Sequence, residues 1–484
     1  MRKTPPRRTL LAFALLTLAP AAAVSAPAGG ADLVIEHVTV VPMTDGGAEI
    51  RDQTVVIRDG RIAEIGPSTA KRLNAPGRHV DGSHEWLIPG LTDAHAHLEN
   101  DRILRLVLHA PDLPAGATKD EDVFLPYVAN GVTQVVDLSA TSETFAQRAA
   151  IDNGRVLGPH IVTAAMIDGA APVWPIGMTR AAADPEAGRR AVRDAAKEGY
   201  DLIKVYSRLD LPTFTAIVDE ARKQHLPVVG HIPAREQGLT ERFFQPGYTV
   251  VAHAEEFAQQ TAAPDEAAIA RYVDMAKRNG TGLIATLTLD ERILEEMRDP
   301  SSLERRPELA ALNPLWRELV LKHNPYVGQS SPAAIARIEK IVAFNRKLVA
   351  VFEAAGVPVL AGTDSPVPGV VPGYSLPDEL EALTVSGLTP KQALESATRR
   401  PNQWLGSAKN RGVVAVGAQA DLLLLGADPL ADIRNVRRIE AVIVGGGLHS
   451  RAELDEKIAA LRARHAFAGT NSLPASAPAA STPD

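Results

Sequence analysis

The chain of 484 residues is 45% hydrophobic and 23% charged, a composition that supports a large core and excludes a wholly disordered protein. It has no cysteine, which excludes a disulfide scaffold, a thiol nucleophile and a thiolate metal site, so any metal needs histidine, carboxylate or less usual ligands. The formal net charge is −7, or −11 (47 basic and 58 acidic residues) without the first 26 residues, which gives no reason to expect nucleic acid or a membrane surface as a partner.

Residues 1–28 have the three parts of a signal peptide. A basic start that runs to Arg8 is followed by an apolar run from Leu10 to Leu18 and then by small residues, which offer two possible cleavage sites. The apolar run is well short of the roughly 20 residues that span a membrane, which argues against an uncleaved anchor. We therefore expect an exported protein, periplasmic or secreted.

Short apolar runs with tight turns mark both ends of the chain. In residues 31–88 such runs alternate with the hairpin signals Asp45-Gly46-Gly47 and Asp59-Gly60. The same pattern of short apolar runs and tight turns occurs in ADLLLLGADPL and RRIEAVIVGGGLHS, within residues 407–450. We expect residues 31–88 and 407–450 to build one small sheet domain together.

Residues 89–406 predict a different architecture. Eight short apolar runs are separated, in several places, by segments with apolar residues at helical spacing, such as PEAGRRAVRDAAKEG. The runs are, in chain order, LTDAHAHL, GVTQVVDLS, PHIVTAAM, YDLIKVYS, LPVVGHIP, YTVVAHAEE, GLIATLTLD and VPVLAGTDS. Eight strands that alternate with helices indicate a (β/α)8 barrel, an α/β fold of the TIM type. An ordinary doubly wound α/β sheet is the alternative.

Two further segments stand outside this repeat. A charged helical insertion at about 290–357 follows the seventh run, so it would lie at the catalytic face of a barrel and is a candidate lid. Residues 451–484 predict a helix to about His465 and then a disordered tail rich in alanine, serine, proline and threonine.

Six side chains that can bind a metal or carry a charge lie in or directly after the predicted strands. They are His95, His97, Lys204, His231, His253 and Asp364. The carboxyl ends of barrel strands converge, so these residues would be neighbours in space. His95 and His97 are two apart on one strand and face the same side, where two imidazoles can chelate one ion. Asp93 shares that side as a support or a turn cap, and the alternative for the pair is interior histidines satisfied by hydrogen bonds.

Lys204 lies inside the apolar run DLIKVYS, where a charged ammonium would be costly to bury. Burial lowers the pKa of a lysine, and its neutral amine can react with carbon dioxide to form a carbamate that could bridge two metal ions. The alternatives are a salt bridge to Asp364 and a lysine at the strand edge. Asp364 is suited to bind metal and to take a proton from water, or else to cap the turn before Pro366.

These residues resemble the metal ligands of the amidohydrolase superfamily, most closely those of its imidazolonepropionase/prolidase-like branch. The likeness covers nearly the whole mature chain, from ADLVIEHVTVV and LIPGLTDAHAHL to DELEALTVSGLTPKQALESATRRPNQWLG and ADLLLLGADPL. It implies a (β/α)8 barrel with a composite β-sandwich built from both chain ends. It also implies that His95, His97 and Asp364 hold one metal ion and His231 and His253 another, with a carboxylated Lys204 bridging the two.

Lys204 discriminates within the superfamily. Imidazolonepropionase and the mononuclear deaminases resemble this chain but use no bridging lysine, so Lys204 favours the binuclear hydrolases, which include dipeptidases and ochratoxin-type amidases. One departure is Pro377, which stands where relatives often carry histidine. Relatives commonly form dimers or larger assemblies, so a homo-oligomer is an open possibility here.

The leading hypothesis is hydrolysis of a C–N amide bond in a small molecule, such as a dipeptide, an Xaa-Pro substrate or an N-acyl amino acid. Two divalent ions, expected to be Zn²⁺, would lower the pKa of a bridging water, whose hydroxide attacks the carbonyl while Asp364 moves the proton to the leaving amine. Tyr206 would donate a hydrogen bond to the substrate or the oxyanion, or be a barrel-layer aromatic. Arg208 would bind a substrate carboxylate, or be a solvated loop charge.

Two other functions stay open. One is a deaminase or cyclic-amide hydrolase on the same fold, which predicts one ion per chain and a dispensable Lys204. The other is a non-catalytic binding protein that kept the fold, against which the intact set of ligands argues.

Overall fold

A computed structural model describes residues 32–70, 76–233 and 238–468. The predicted signal peptide, residues 1–28, and the predicted tail beyond residue 468 lie outside the described residues. Within those ranges, no helix is both long enough and apolar enough to cross a membrane.

The described residues alternate between strands and helices along most of the chain. The strands are β1 (Asp32–Val40), β2 (Ile50–Arg58), β3 (Arg61–Pro67), β4 (Gly77–Asp81), β5 (Trp86–Pro89), β6 (Leu91–Ala96), β7 (Val132–Asp137), β8 (His160–Asp168), β9 (Thr179–Ala181), β10 (Leu202–Val205), β11 (Val228–Gly230), β12 (Tyr248–Ala252), β13 (Gly282–Ile284), β14 (Val359–Leu360), β15 (Leu422–Leu425), β16 (Ile439–Val444) and β17 (Gly447–Ser450). The α-helices are α1 (Asp101–Val107), α2 (Asp120–Ala129), α3 (Ser142–Asp152), α4 (Pro185–Glu198), α5 (Leu211–Lys223), α6 (Thr240–Phe243), α7 (Glu255–Gln259), α8 (Glu266–Asn279), α9 (Leu287–Arg298), α10 (Pro314–Lys322), α11 (Pro332–Ala354), α12 (Ser375–Val385), α13 (Pro390–Ser396), α14 (Arg399–Trp404) and α15 (Arg451–Ala468).

Strands from both ends of the chain form one eight-stranded sheet, in the order β17-β16-β15-β5-β1-β2-β3 with β4 beside β1. Successive side chains of a strand point to opposite faces, and in β15 both faces are buried. Leu422 and Leu424 pack into a core enclosed by this sheet, whereas Leu423 and Leu425 pack into the core shared with the rest of the chain. The unbroken run of four leucines follows from these two cores. The sheet built from both chain ends is confirmed.

Eight parallel strands form the second sheet, in the order β14-β13-β12-β11-β10-β8-β7-β6, with the short β9 beside β8. Its first and last strands meet, because Ala96 bridges Ser365 in parallel and the N–H of Ala94 donates to the carbonyl of Ala361 at 3.0 Å. The helices between the strands cover the outside of the ring. The (β/α)8 barrel predicted from the eight apolar runs is confirmed.

Asp93 fastens the closure of the barrel. Its carboxylate accepts hydrogen bonds from the hydroxyl of Thr363 at 2.6 Å, from the N–H of Thr363 at 3.0 Å and from the N–H of His95 at 3.2 Å. Burial raises the pKa of Asp93 to about 7. Asp93 lies in the first barrel strand and binds Thr363, just beyond the eighth strand. It therefore holds the eighth strand against the first.

The seventh barrel strand is shorter than the run GLIATLTLD predicts. β13 ends at Ile284, and Thr286 has a left-handed backbone with a φ of 47°. A helix begins at Leu287, so the residues TLTLD open α9 instead of extending the strand. The carboxylate of Glu379 accepts hydrogen bonds from the N–H groups of Leu287 at 3.1 Å and Thr288 at 2.8 Å, which satisfies donors that a helix start leaves free.

The long connection after β13 contains the predicted insertion at about 290–357 and consists of α9, α10, α11 and three 3-10 turns, Leu303–Arg305, Pro307–Ala311 and Val327–Gln329. It returns to the carboxyl end of the barrel, where the indole N–H of Trp316 in α10 donates to the carbonyl of Pro366 at 3.0 Å. Leu319 of the same helix packs against Leu104 and Leu108, in and beside α1. The insertion thus lies over the end of the barrel at which the predicted site residues lie.

Candidate metal centre

The six predicted site residues lie together at the carboxyl end of the barrel strands. Two lie within strands and four follow them: His95 in β6, Lys204 in β10, His97 after β6, His231 after β11, His253 after β12 and Asp364 beyond β14. His253 and Asp364 have φ values of 77° and 63°, a left-handed backbone that is rare in residues other than glycine. Such backbone strain concentrates at functional sites.

Three donor atoms converge on one point at the closure of the barrel. Asp364 Oδ1 lies 3.1 Å from Nε2 of His95 and 2.9 Å from Nε2 of His97, and the two imidazole nitrogens are 3.3 Å apart. The three atoms could hold one metal ion, since they all lie within 4.8 Å of one another.

A second set of imidazoles adjoins the first. The ring centre of His253 lies 4.6 Å from that of His95 and 5.0 Å from that of His231. The other carboxylate oxygen of Asp364, Oδ2, faces His253 and lies 3.9 Å from its Nε2. Asp364 therefore stands between the two sets. Lys204 reaches the same point, since its Nζ lies 3.5 Å from Nε2 of His95.

Hydrogen bonds to the outer ring nitrogens orient three of the histidines. Nδ1 of His97 lies 2.7 Å from the hydroxyl of Ser139, and Nδ1 of His253 lies 3.0 Å from the hydroxyl of Thr286. These partners occupy Nδ1 and leave Nε2 as the nitrogen that faces the centre, which is the arrangement of metal-binding histidines.

His231 is held by two partners at once. Its Nδ1 lies 2.8 Å from a carboxylate oxygen of Glu256 and 3.1 Å from the hydroxyl of Ser207. The second oxygen of Glu256 accepts a hydrogen bond from the N–H of Ile232 at 2.9 Å, which fixes the carboxylate itself. A carboxylate on the outer nitrogen both orients an imidazole and makes it a more basic ligand.

The electrostatics favour neutral imidazoles around an ionised carboxylate. Burial lowers the pKa of His95 to about 3 and that of His253 well below its usual value. Burial alone would raise the pKa of Asp364, but its electrostatic interactions and hydrogen bonds with the surrounding histidines outweigh it and hold the pKa well below its usual range. Neutral imidazole and carboxylate are the forms that bind a divalent ion, so the donor set fits one.

Lys204 is fully buried, and burial lowers its pKa to about 8. Among the described residues its Nζ forms no ion pair with a carboxylate, and its closest polar neighbour is His95. The alternative of a salt bridge to Asp364 is therefore not found among the described residues, and Lys204 is a buried amine beside His95.

Tyr206 is buried beside the centre, where its ring lies 4.1 Å from that of His231 between centroids. The indole N–H of Trp174 donates to the hydroxyl oxygen of Tyr206 at 2.9 Å. The hydroxyl proton can then point toward a bound substrate. Arg208 lies elsewhere, because its guanidinium donates to the carbonyl of Ala171 at 3.0 Å in an exposed loop.

Glu255 is an acidic residue of the site that the sequence did not single out. It lines the cavity above the centre, and its carboxyl group shares a hydrogen bond with that of Asp290. Burial and the neighbouring Asp290 raise the pKa of Glu255 well above its usual range. Asp290 also accepts a hydrogen bond from the side-chain amide of Asn345 at 2.7 Å.

Several partners of the site could have been found by the rule that located the ligands. Ser139 and Thr286 lie two residues past the ends of the second and seventh strands, close to where the histidines follow theirs. Glu256 and Trp174 carry no such signal, because they lie in a helix and a loop whose approach to the site depends on the tertiary fold.

Comparisons with known proteins agree with this geometry. The sequence model of the Amidohydrolase family matches residues 86–448, well over half of the chain. Imidazolonepropionase of Ralstonia nicotianae is 27% identical over 415 residues, which cover 82% of this chain and 91% of that protein.

Two solved structures share the fold. Bottromycin amidohydrolase superposes with a TM-score of 0.68 and 21% identity, over 89% of this chain and 90% of that one. A Xaa-Pro dipeptidase superposes with a TM-score of 0.64 and 18% identity, over 87% of this chain and 100% of that one. At these identities the two structures show the fold alone.

Proposed function

The chain belongs to the amidohydrolase family and is a hydrolase acting on carbon–nitrogen bonds, and we propose that it cleaves an amide bond of a small molecule with two divalent metal ions. The observation that carries the proposal is the convergence of His95, His97 and Asp364 within 4.8 Å, with Lys204 and His253 beside them. Proteins of this family are generally metal-dependent, and these side chains are the donors that Zn²⁺ prefers.

Each side chain has a role in holding the ions. His95, His97 and Oδ1 of Asp364 would hold one ion, and His231 and His253 the other. Lys204, as a carbamate, would bridge them, which is supported by its burial, its lack of an ion pair among the described residues and its position beside His95. Bound metal would lower the pKa of a water molecule and polarise the substrate carbonyl.

Asp364 and Tyr206 would do the remaining chemistry. Oδ2 of Asp364 faces away from His95 and His97, so it is the oxygen available to accept a proton from the attacking water. The water oxygen bonds to the carbonyl carbon, and Asp364 passes the proton to the leaving nitrogen as the C–N bond breaks. The hydroxyl of Tyr206 would donate a hydrogen bond to the carbonyl oxygen as charge develops on it.

Hydrolysis of a cyclic amide with one ion is the second candidate. It is supported by the similarity to imidazolonepropionase over 82% of the chain. The two candidates differ in whether Lys204 is required: a two-ion enzyme needs it as the bridge, and a single-ion enzyme does not. We also propose that the protein acts after export, on the strength of the leader in residues 1–28.

Metal content and hydrolysis would test the proposal together. We expect two ions per chain in wild-type protein, and hydrolysis by the zinc-loaded protein of at least one member of a library of dipeptides and N-acylated amines or amino acids. Asp364→Asn should lower kcat by about 10²–10⁴-fold, because it removes both a ligand and the proton acceptor. Asp45→Asn is the control, since its side chain is 95% exposed and remote from the site.

Lys204→Ala separates the two candidates. With two ions, it should lose one ion per chain and most of the activity. One ion per chain in wild type, with Lys204→Ala nearly as active as its parent, would favour the cyclic-amide hydrolase. A wild type that binds no metal, or an Asp364→Asn variant as active as wild type, would contradict both.

A further inference from the structure

A cavity of about 780 Å³ opens above the candidate metal centre. Its size is toward the upper end of the roughly 300–1,000 Å³ of small-molecule sites. One wall is apolar and is formed by Ile103 and Leu106 of α1, Met166 at the end of β8, and Trp174 and Met178 of the loop that follows. Ile103, Met166 and Met178 form one buried cluster with Tyr206, against which Trp174 and Leu106 pack, so the wall is fixed.

A second part of the lining is apolar as well and comes mainly from the insertion. Leu289 of α9 and Trp316, Leu319 and Val320 of α10 face the cavity, together with Val367 after the eighth strand. Leu289, Leu319 and Val320 are each less than a tenth exposed. A substrate that fills this space exchanges water for hydrocarbon along both parts of the lining, which favours a bulky apolar group.

Charged groups on the cavity surface are few. Among the described residues that line it there is no arginine, and its one lysine is Lys204, which belongs to the metal centre. His109 and His323 are the remaining basic side chains. Glu255 is the acidic residue outside the centre, and it shares its hydrogen bond with Asp290.

Two arginines close in sequence to residues that line the cavity, Arg208 and Arg105, donate to backbone carbonyls. Arg208 donates to the carbonyl of Ala171, and Arg105 donates to the carbonyl of Leu113 at 3.1 Å. A substrate carboxylate next to the scissile bond would therefore lose its hydration and find no arginine to pair with among the described residues that line the cavity.

From these walls and charges we infer that the substrate is an uncharged, bulky, apolar amide, which carries a long acyl or aromatic group and no carboxylate beside the scissile bond. The inference rests on the proposed amide hydrolysis and narrows its substrate class. The inference excludes dipeptides and N-acyl amino acids as substrates, because their carboxylate adjoins the bond that is cut.

Two matched substrates would test the charge. N-decanoyl-phenylalanine and N-decanoyl-phenethylamine differ only in the carboxylate. For the zinc-loaded full chain we expect kcat/KM to be at least about tenfold higher with the uncharged amide, since a buried charge without a partner is costly. Equal rates, or faster cleavage of the acid, would overturn the inference.

A chain-length series would test the apolar walls. From N-acetyl to N-decanoyl phenethylamine, kcat/KM should rise by at least about tenfold as methylene groups enter the cavity. Leu319→Trp should narrow the cavity and reduce this rise, whereas Leu319→Ala should keep it or increase it. Leu321→Trp, on the same helix but exposed and away from the cavity, should leave the series unchanged. A rise that is absent in wild type, or untouched in both Leu319 variants, would overturn the inference.

A binding measurement separates failure of the inference from failure of the proposed function. Trp174 and Trp316 line the cavity, so their fluorescence should report binding. In the Asp364→Asn variant, the uncharged decanoyl amide should bind at least about tenfold more tightly than the acid. If the uncharged amide binds more tightly than the acid but wild type hydrolyses no amide, the proposed hydrolysis fails and the inferred ligand class stands. If amides are hydrolysed but the acid binds as tightly, the inference alone fails.

Discussion

Trp174 and Tyr206 form a hydrogen-bonded pair beside the candidate metal centre. The indole occupies the hydroxyl oxygen as a donor, so the hydroxyl proton is left to donate into the cavity. Tyr206→Phe should lower kcat by about 10²-fold with little change in KM, because it removes a donor that is used as charge develops on the carbonyl oxygen. Steady-state kinetics would show it. Tyr200→Phe is the matched control, since its hydroxyl donates to the carbonyl of Ala140 away from the cavity.

Glu256 contacts Nδ1 of His231, the outer nitrogen of the imidazole ring. Glu256→Gln should weaken metal binding by about 10–100-fold, because the imidazole loses the carboxylate that orients it and raises its basicity. Titration with zinc against a chelator of known affinity would measure the loss. Glu453→Gln is the control, because it alters another glutamate–histidine pair, with His449, at a half-buried position far along the chain. Unchanged affinity in Glu256→Gln would contradict the assigned support.

The convergence of the candidate ligand residues could be predicted because each one lies in or soon after a short apolar run. His231 and His253 come straight after β11 and β12, and the barrel geometry then determines where they meet. Glu255 could not be predicted in the same way. Its role depends on Asp290, which lies in a different helix, and a pairing of two carboxyl groups leaves no mark in the local sequence.

At the scale of elements, α9 depends on a residue in α12. The carboxylate of Glu379 accepts hydrogen bonds from two N–H groups at the start of α9. Glu379→Ala should lower the free energy of unfolding by about 1–3 kcal/mol, since it leaves buried donors without a partner. Urea denaturation would measure the change. Glu381→Ala is the control, because it lies on the same helix with a half-exposed side chain that pairs with Arg437.

The same contact explains why the seventh strand was predicted too long. The residues TLTLD continue the apolar alternation of GLI and contain threonine, which favours strands, so the local pattern indicates a strand. The helix start needs the carboxylate of Glu379, and that carboxylate arrives from 92 positions away from Leu287. Local sequence could place this strand but not its end.

At the scale of the molecule, stability should fall as the pH rises. Burial raises the pKa of Glu379 to about 8 and that of Glu85 to about 7, against 4.5 in an exposed chain. The folded protein keeps protons that the unfolded chain has released, so their stabilisation is complete below about pH 4.5 and is lost as the pH rises through 7 and 8. Urea denaturation at about pH 6.5 and 8, above the range in which the buried histidines act in the opposite sense, should show the decline, and Glu379→Gln should show a shallower one. An equal slope in the variant, with Glu381→Gln as control, would contradict the assignment.

The global architecture could be predicted because the same kind of apolar run repeats along the sequence. Eight apolar runs with helical segments between them indicate a barrel. Similar short apolar runs separated by turns at 31–88 and 407–450 indicate a shared sheet. The order of strands within that sheet could not be predicted. β5 pairs with β15 through Leu87 and Leu424, and nothing in either run of apolar residues specifies the other as its neighbour.

The pairing of the two chain ends also sets the order of events in folding. β15 joins β5 across most of the chain, and the barrel closes only when Ser365 reaches Ala96. Contacts between such distant residues form slowly, after nearer ones. His95 and Asp364 lie on the two sides of this closure, so a growing polypeptide cannot assemble the centre before Asp364 has been made. We expect the metal to be acquired last, by an essentially complete chain, and so to be drawn from the compartment in which folding ends.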